Sequence, residues 1–118
     1  VLSVCISPFR RIHTSTTDVE AKISGHYINT HLALRNAIEH GFDDAILLDH
    51  EGNVAEASAA NIFCIKGRTL ITPESGTILS GITRDTIMTL ATRPHIDEIR
   101  NFRKLSVSEL LTSDEIFL

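Results

Sequence analysis

Most apolar residues of the chain fall into short runs that end at turn-forming residues, a pattern typical of buried β-strands. The first run predicts a strand over residues 1–11 that ends at Pro8 or shortly after it. Glycine-containing turns at His50–Asn53 and Lys66–Arg68 separate two pairs of runs, and each pair predicts a hairpin. The run Ala45–Asp49 is continuous, which indicates a strand buried on both faces. The other predicted strands are Val54–Glu56, Asn61–Ile65, Thr69–Thr72, Ile96–Phe102 and one that starts near Asp114.

A first helix is predicted between the opening strand and the first hairpin. The segment Asn29–His40 places the apolar residues Leu34 and Ile38 four positions apart, on one face of a helix. We expect Asn29 to cap the start of this helix and Gly41 to end it, because each residue type is common at that position.

Two further helices are predicted in the second half of the chain. One begins at Thr83, as its N-cap, and runs to about Thr92, after which Pro94 stops it. Its buried side is expected to carry Ile87, Leu90 and Ala91. The other begins with a capping box at Ser106–Glu109 and ends at Leu111. This order of elements predicts an α+β domain with a mixed or antiparallel sheet.

Composition and charge narrow the class of protein. The chain has 118 residues, 42% hydrophobic and 22% charged, which is typical of one soluble globular domain. Eleven Lys and Arg against fifteen Asp and Glu give a net charge of −4, so no nucleic-acid partner is expected. No apolar run approaches the roughly 20 residues that span a bilayer, and no secretory leader is evident. We therefore expect a cytoplasmic protein with no membrane partner.

The two ends of the sequence suggest a piece of a longer protein. The chain begins with Val1 inside an apolar run, and its only methionine is Met88. It stops within Glu115–Leu118, which resembles a strand cut short, whereas complete chains more often end in polar residues. The expectation is a domain truncated at both ends.

Cysteine and histidine residues give no sign of a metal site. Cys5 and Cys64 each lie in an apolar stretch, so two buried, reduced thiols are expected. The six histidines form no pair at metal-ligand spacing, and the closest candidates, His26 and His31, are five residues apart. No metal is predicted.

Three features of the chain could carry chemistry. Lys22 lies between small and apolar neighbours, where a partly desolvated amine could form a Schiff base, although a surface lysine is the commoner outcome. Glu56 lies in a stretch of small residues that could leave space for a flat ligand. The alternative to a binding role is that Glu56 is an exposed glutamate on a strand. Residues Leu79–Asp85 form a glycine loop that opens a helix, where backbone N–H groups and the Thr83 hydroxyl favour an anion.

Together these features match the requirements of pyridoxal 5′-phosphate. A lysine binds its C4′ carbon as an imine, an acid keeps its pyridine nitrogen protonated, and a helix N-terminus holds its phosphate. The sequence therefore predicts pyridoxal 5′-phosphate as cofactor.

Four motifs carry a resemblance to a known family. They are Ala21–Asn29, Gly41–Asp49, Gly52–Phe63 and Leu79–Asp85. In this order they resemble the class IV (fold-type IV) aminotransferases, and the branched-chain amino acid aminotransferases most closely. The resemblance extends from about residue 20 to the end of the chain, and it implies the large cofactor-binding domain of that fold.

The resemblance implies a cofactor site of eight residues. Lys22 would be the Schiff-base lysine and proton shuttle, Tyr27 would hydrogen-bond the phenolic oxygen, and Glu56 would pair with the pyridine nitrogen. The remaining implied contacts are Leu79 on one face of the ring, Ala59 and Ala60 on the other face, and Ile82 (through its N–H) and Thr83 at the phosphate.

Some parts of the family pattern have no counterpart in this sequence. The small N-terminal domain and its phosphate-binding arginine are missing, because residues 1–19 are too short to supply them. A further phosphate-binding turn would begin just beyond Leu118. His26 replaces the usual asparagine, and the connection at Arg93–His95 is shorter than usual. We expect residues 1–118 to form a single domain that matches most of the large domain.

The resemblance implies a transaminase. Its expected reaction transfers an amino group from a branched-chain-type amino acid to 2-oxoglutarate, in a homodimer of the full-length protein. D-amino acid transaminases and aminodeoxychorismate lyases are alternatives, although Ser24–Tyr27 resembles the branched-chain group more. A non-catalytic fragment is the alternative from another class. Substrate side chain and stereochemistry stay open.

Overall fold

The computed structural model describes residues 1–74, 76–91, 96–100 and 104–118. Within these residues the chain forms two sheets, three α-helices and one 3₁₀ turn. The strands are β1 (Val4–Arg10), β2 (Asp44–Leu48), β3 (Val54–Ala57), β4 (Phe63–Lys66), β5 (Thr69–Ile71), β6 (Glu98–Arg100) and β7 (Glu115–Phe117). The helices are α1 (Tyr27–Glu39), α2 (Ile82–Leu90) and α3 (Val107–Leu111), and the 3₁₀ turn (Ser24–His26) directly precedes α1.

The first sheet has the strand order β1-β2-β3. Strand β1 runs parallel to β2, with Cys5 opposite Ala45, and β2 runs antiparallel to β3, with Ile46 opposite Ala57. Residues 45–48 of β2 are all buried, which confirms the strand predicted from the continuous apolar run. The first predicted hairpin, β2–β3, is also confirmed.

The second sheet has the order β6-β5-β4-β7. Strands β4 and β5 form the second predicted hairpin, with Ile65 opposite Leu70. Strand β7 pairs antiparallel with β4, and β6 pairs parallel with β5. Only residues 98–100 of the predicted strand 96–102 are in β6, and residues 101–103 lie outside the described part of the chain. The mixed pairing in both sheets confirms the α+β prediction.

Helix α1 begins two residues earlier than predicted. Its first residue is Tyr27, so the expectation that Asn29 caps it is wrong. The Asn29 side chain instead donates a hydrogen bond across to the carbonyl of Arg10, 3.0 Å away. The predicted end is confirmed: Gly41 has φ +84°, and the N–H of Phe42 reaches back 3.0 Å to the carbonyl of Ala37.

Helix α2 also differs from its prediction. Gly81 is its N-cap and Ile82 its first residue, so Thr83 lies in the first turn and does not cap it. Leu90 is 62% exposed and the buried side chain of α2 is Arg84, so the predicted buried side is wrong at Leu90. Helix α2 ends at Leu90, whereas Thr92 and Pro94, which were predicted to end it, lie outside the described residues.

Helix α3 has the predicted capping box. The hydroxyl of Ser106 accepts from the N–H of Glu109, and the Glu109 carboxylate accepts from the N–H of Ser106, each at 3.2 Å. This reciprocal pair satisfies two N–H groups at the start of the helix.

A buried apolar cluster joins the two sheets. Its members are Ile46, Leu48, Val54, Ile62, Cys64, Ile71, Leu105 and Leu110. A second cluster, Ala33, Ala37, Ala45 and Leu47, packs α1 against β2 through small side chains. Cys5 and Cys64 form no disulfide, and Cys5 is only half-buried, so the expectation of two buried thiols is wrong for Cys5. The two clusters therefore hold the sheets against each other and α1 against β2.

None of the described helices is long and apolar enough to cross a membrane. Among the described residues, no group of three His, Cys, Asp or Glu side chains is arranged to hold a metal ion.

Candidate active site

One cavity of about 650 Å³ is lined by all eight residues that the sequence singles out. They are Lys22, Tyr27, Glu56, Ala59, Ala60, Leu79, Ile82 and Thr83. Three separate segments supply them: the segment that leads into α1, the end of β3 with the loop after it, and the segment that leads into α2. The fold therefore brings the predicted lysine, acid and helix N-terminus to one place.

Lys22 lies just before the 3₁₀ turn that leads into α1. Its side chain is exposed, as expected for a surface lysine, which is the commoner outcome for such a sequence. Backbone hydrogen bonds hold its surroundings, since the N–H of Ile23 reaches Ala21 at 2.9 Å and the N–H of His26 reaches Ile23 at 3.0 Å. Tyr27, half-buried, opens α1 on the same side of the cavity.

His26 fixes the segment that carries Lys22. Its imidazole is buried, and its Nε2 lies 2.9 Å from the hydroxyl of Thr17. This contact ties the polar loop after β1 to the 3₁₀ turn. The departure from asparagine at this position thus keeps a polar, hydrogen-bonding side chain in the wall of the cavity.

Glu56 is buried on β3 with only 7% of its surface exposed, so the alternative of an exposed strand glutamate is wrong. One carboxylate oxygen lies 2.5 Å from Nε of Arg11, and the other accepts from the N–H of Leu79 at 3.2 Å. Burial raises the pKa of Glu56 above its ordinary value, and the charge of Arg11 and the Leu79 amide oppose that rise.

Arg11 is the site residue that the sequence reasoning missed. It follows directly after β1, where its N–H bonds to the carbonyl of Leu48 at 2.8 Å, and its side chain is buried beside Glu56. A second contact runs from its Nη2 to the carbonyl of Val19 at 3.4 Å. The available signal was the Arg10–Arg11 pair at the end of an apolar strand, because strand alternation turns one of two neighbours inward.

The start of α2 forms the far end of the cavity. Gly81 has extended backbone angles, and the first hydrogen bond of the helix joins the N–H of Asp85 to its carbonyl at 3.1 Å. The N–H groups of Ile82 and Thr83 therefore have no partner within the helix. Together with the helix dipole, they favour an anion at this end of the cavity.

A comparison of this chain with known protein families agrees with the geometry of the site. The family model for amino-transferase class IV matches residues 2–118. The chain belongs to the class IV aminotransferases, as the four motifs predicted.

Several proteins of this class that are similar to the chain are named branched-chain amino acid aminotransferases. Over 98% of its length the chain is 42% identical to the branched-chain-amino-acid aminotransferase of Pseudomonas aeruginosa, of which it covers 37%. Its fold is similar to the branched-chain amino acid aminotransferase of Thermobaculum terrenum in its pyridoxal-phosphate form, with a TM-score of 0.94 and 34% identity over 99% of this chain and 38% of that one. The enzyme of Thermoproteus uzoniensis with norvaline has a TM-score of 0.92 and 37% identity, over 98% of this chain and 39% of that one. The chain thus spans less than two fifths of these proteins.

Proposed function

We propose that this chain supplies most of the large cofactor domain of a pyridoxal-phosphate-dependent branched-chain amino acid aminotransferase. The proposed reaction transfers an amino group from a branched-chain-type amino acid to 2-oxoglutarate. The observation that carries the proposal is Glu56, a buried carboxylate facing the same cavity as Lys22 and the start of α2. The names of the similar proteins support the branched-chain assignment.

The residues present fit pyridoxal 5′-phosphate. The cavity, at about 650 Å³, lies within the range of small-molecule sites. A carboxylate has about four lone-pair positions, so Glu56 can still accept from a ring nitrogen while it bonds Arg11 and the Leu79 amide. The amine of Lys22 and the open N–H groups of α2 complete the set.

The cofactor, when bound, supplies an electron sink for the bond changes at the substrate Cα. The protein supplies proton transfer and orientation. We propose that Lys22 is the Schiff-base lysine and that its freed amine then carries a proton away from Cα. Tyr27 would donate to the phenolic oxygen, and Glu56, paired with Arg11, would accept a hydrogen bond from the protonated ring nitrogen.

The other predicted residues place the ring and the phosphate. Leu79 on one side and Ala59 and Ala60 on the other offer apolar surface to a flat ring. The N–H of Ile82 and the N–H and hydroxyl of Thr83 offer donors to a phosphate.

We propose a cytoplasmic homodimer that binds an amino acid and a 2-oxo acid, with residues 1–118 as one domain of it. A second candidate is a chain that keeps the fold without turnover, and coverage of 37% of the Pseudomonas relative is consistent with it. Transamination by a D-amino acid enzyme, or lyase chemistry, is a less favoured alternative, because the similar proteins named above are branched-chain enzymes.

Borohydride trapping tests the proposal. Pyridoxal 5′-phosphate added to the complete protein is expected to give a visible absorption band, and borohydride is expected to fix the cofactor covalently. Peptide mass mapping should find the adduct on Lys22. Lys66→Ala and Lys104→Ala are the matched controls and should not change the adduct. An adduct on Lys66 or Lys104 would contradict the assignment, and its absence on every lysine would contradict the proposed function.

A further inference from the structure

The side chain of Asn61 contacts the segment Leu79–Gly81 at two points. Its Nδ2 donates a hydrogen bond to the carbonyl of Leu79, 2.9 Å away. Its Oδ1 occupies the space beside Gly81, where a Cβ atom would lie only 2.5 Å from it. Asn61 lies in the loop between β3 and β4, far in sequence from the segment that it contacts.

The segment Leu79–Gly81 connects both ends of the cavity. The N–H of Leu79 donates to Glu56 at 3.2 Å, and Gly81 is the N-cap from which α2 begins. The backbone of Leu79 is thus held on both sides, by Glu56 at its N–H and by Asn61 at its carbonyl. A change in the path of this segment would move an amide away from the acid and turn the start of α2.

We propose that Asn61 is a positioning residue, which sets the path of Leu79–Gly81 and thereby places the α2 N-terminus and the Glu56 contact for the cofactor. This inference rests on the proposed function. The lack of a side chain at Gly81 is part of the same arrangement, because Oδ1 of Asn61 takes the space that a Cβ would need. A methyl group at Gly81 would force the short amide of Asn61 to turn, and turning it breaks the bond to Leu79.

The test is a double-mutant cycle in the complete protein. The variants are Asn61→Ala, Gly81→Ala and the double variant. Asn29→Ala is the matched control, because the Asn29 amide also donates to a distant backbone carbonyl, that of Arg10 at 3.0 Å. Asn29 does not line the cavity.

Three measurements separate positioning from a purely structural contact. Thermal unfolding of the cofactor-free variants reports the contact between Asn61 and Gly81. Titration with pyridoxal 5′-phosphate, and competition by inorganic phosphate alone, report the placement of α2. We expect Asn61→Ala and Gly81→Ala each to weaken cofactor binding about five- to tenfold, the equivalent of one hydrogen bond.

The double variant decides the proposal. Once Asn61 is truncated, the methyl group at Gly81 meets no obstacle there, so the double variant should bind the cofactor about as well as Asn61→Ala alone. In the Asn61 and Gly81 variants, competition by phosphate should weaken in parallel with cofactor binding. Asn29→Ala should lower stability without changing the affinity for the cofactor or for phosphate. Additive losses in the cycle, or cofactor affinity in Asn61→Ala equal to that in Asn29→Ala, would overturn the proposal.

If the proposed function itself is wrong, the same experiment gives a different result. In that case the unsubstituted protein itself binds neither pyridoxal 5′-phosphate nor phosphate. The placement role of Asn61 is then overturned with it, while the unfolding cycle still reports the contact with Gly81.

Discussion

Burial removes the carboxylate of Glu56 from water, and this loss of solvation raises its pKa above the ordinary value of 4.5. Two contacts oppose the rise, the guanidinium of Arg11 at 2.5 Å and the N–H of Leu79 at 3.2 Å. The ionised form of Glu56 therefore depends on these two contacts, and of the two Arg11 is the one that carries a full charge.

Removal of Arg11 should expose this dependence. Arg11→Met leaves Glu56 buried without a cation, which costs about 3–5 kcal/mol of stability at neutral pH. Because the folded-state pKa of Glu56 lies above its unfolded value, the stability from this group is present below pH 4.5 and is lost as pH rises through the folded pKa. Arg11→Met should raise that pKa further and extend the loss toward neutral pH.

Thermal unfolding of the cofactor-free protein across pH checks this prediction. The control is the double variant Arg11→Met/Glu56→Gln, which has no titrating group at this position and should lose the extra pH dependence. If Arg11→Met and the unsubstituted protein show parallel pH profiles, Arg11 does not control the ionisation of Glu56.

Glu56→Gln tests the proposed role of the acid in the reaction. The amide has the same shape but no charge, so it no longer holds a ring nitrogen protonated. Cofactor binding should be mostly retained, because Lys22 and the start of α2 remain. Removal of the Cα proton from leucine should slow by about two orders of magnitude or more, measured as a single half-reaction by stopped flow.

Glu20→Gln is the matched control for that experiment. Glu20 lines the same cavity, but it is exposed and has no ion pair with Arg11. Its substitution should leave the half-reaction nearly unchanged. Equal rates in Glu56→Gln and Glu20→Gln would refute the role of Glu56.

At the scale of elements, helix α1 carries Tyr27 and packs on β2, so its ends decide where the lysine segment lies. Gly41 ends the helix at φ +84°, a conformation that costs other residues about 1–2 kcal/mol. Gly41→Ala should lower the free energy of unfolding by about 1 kcal/mol. Gly25→Ala is the control, because an added Cβ there meets nothing within 4 Å.

Chemical denaturation of the two glycine variants provides the measurement. Gly41→Ala should show a lower midpoint than Gly25→Ala with an unchanged slope. A larger loss in Gly25→Ala would mean that the positive φ of Gly41 is not the feature that ends α1.

The sequence predicted the strands and hairpins better than the helix starts. Apolar runs and glycine turns are local signals, and both hairpins formed where these signals lie. The cap of α1 was misplaced because the side chain of Asn29 bonds the distant carbonyl of Arg10 instead of its own helix. The cap of α2 was also misplaced because of a contact that is distant in sequence. Asn61 leaves no room for a side chain at the N-cap, and Gly81 occupies that position.

The candidate site was predictable in its residues and less so in its contacts. Motif order was enough to name eight residues that line one cavity. Motif order did not predict that Arg11 pairs with Glu56. The two side chains meet only because β1 pairs parallel with β2 and β2 pairs with β3. Sheet register between distant strands is a tertiary property that local patterns do not encode.

At the scale of the whole molecule, apolar side chains remain exposed along one helix. In α1, Ile28 is 62% exposed, Leu32 is 43% exposed and Ile38 is 59% exposed. Ile116 on β7 is 44% exposed as well. Exposed apolar residues in such number are typical of surfaces that other parts of a protein cover. The chain spans 37% of its Pseudomonas relative, which leaves ample sequence in such a protein to cover them.

The 118-residue chain alone should bind the cofactor less tightly than the complete protein. If cofactor contacts from outside the chain are lost, each at about 1.5–3 kcal/mol for charged groups, two such losses weaken binding several tens-fold or more. Exposed Ile28 and Leu32 should also make the isolated chain self-associate, which light scattering would show. We therefore expect no transamination between leucine and 2-oxoglutarate by the isolated chain and clear turnover by the complete protein. Turnover by the isolated chain above a Lys22→Ala control would show that these 118 residues contain a complete active site.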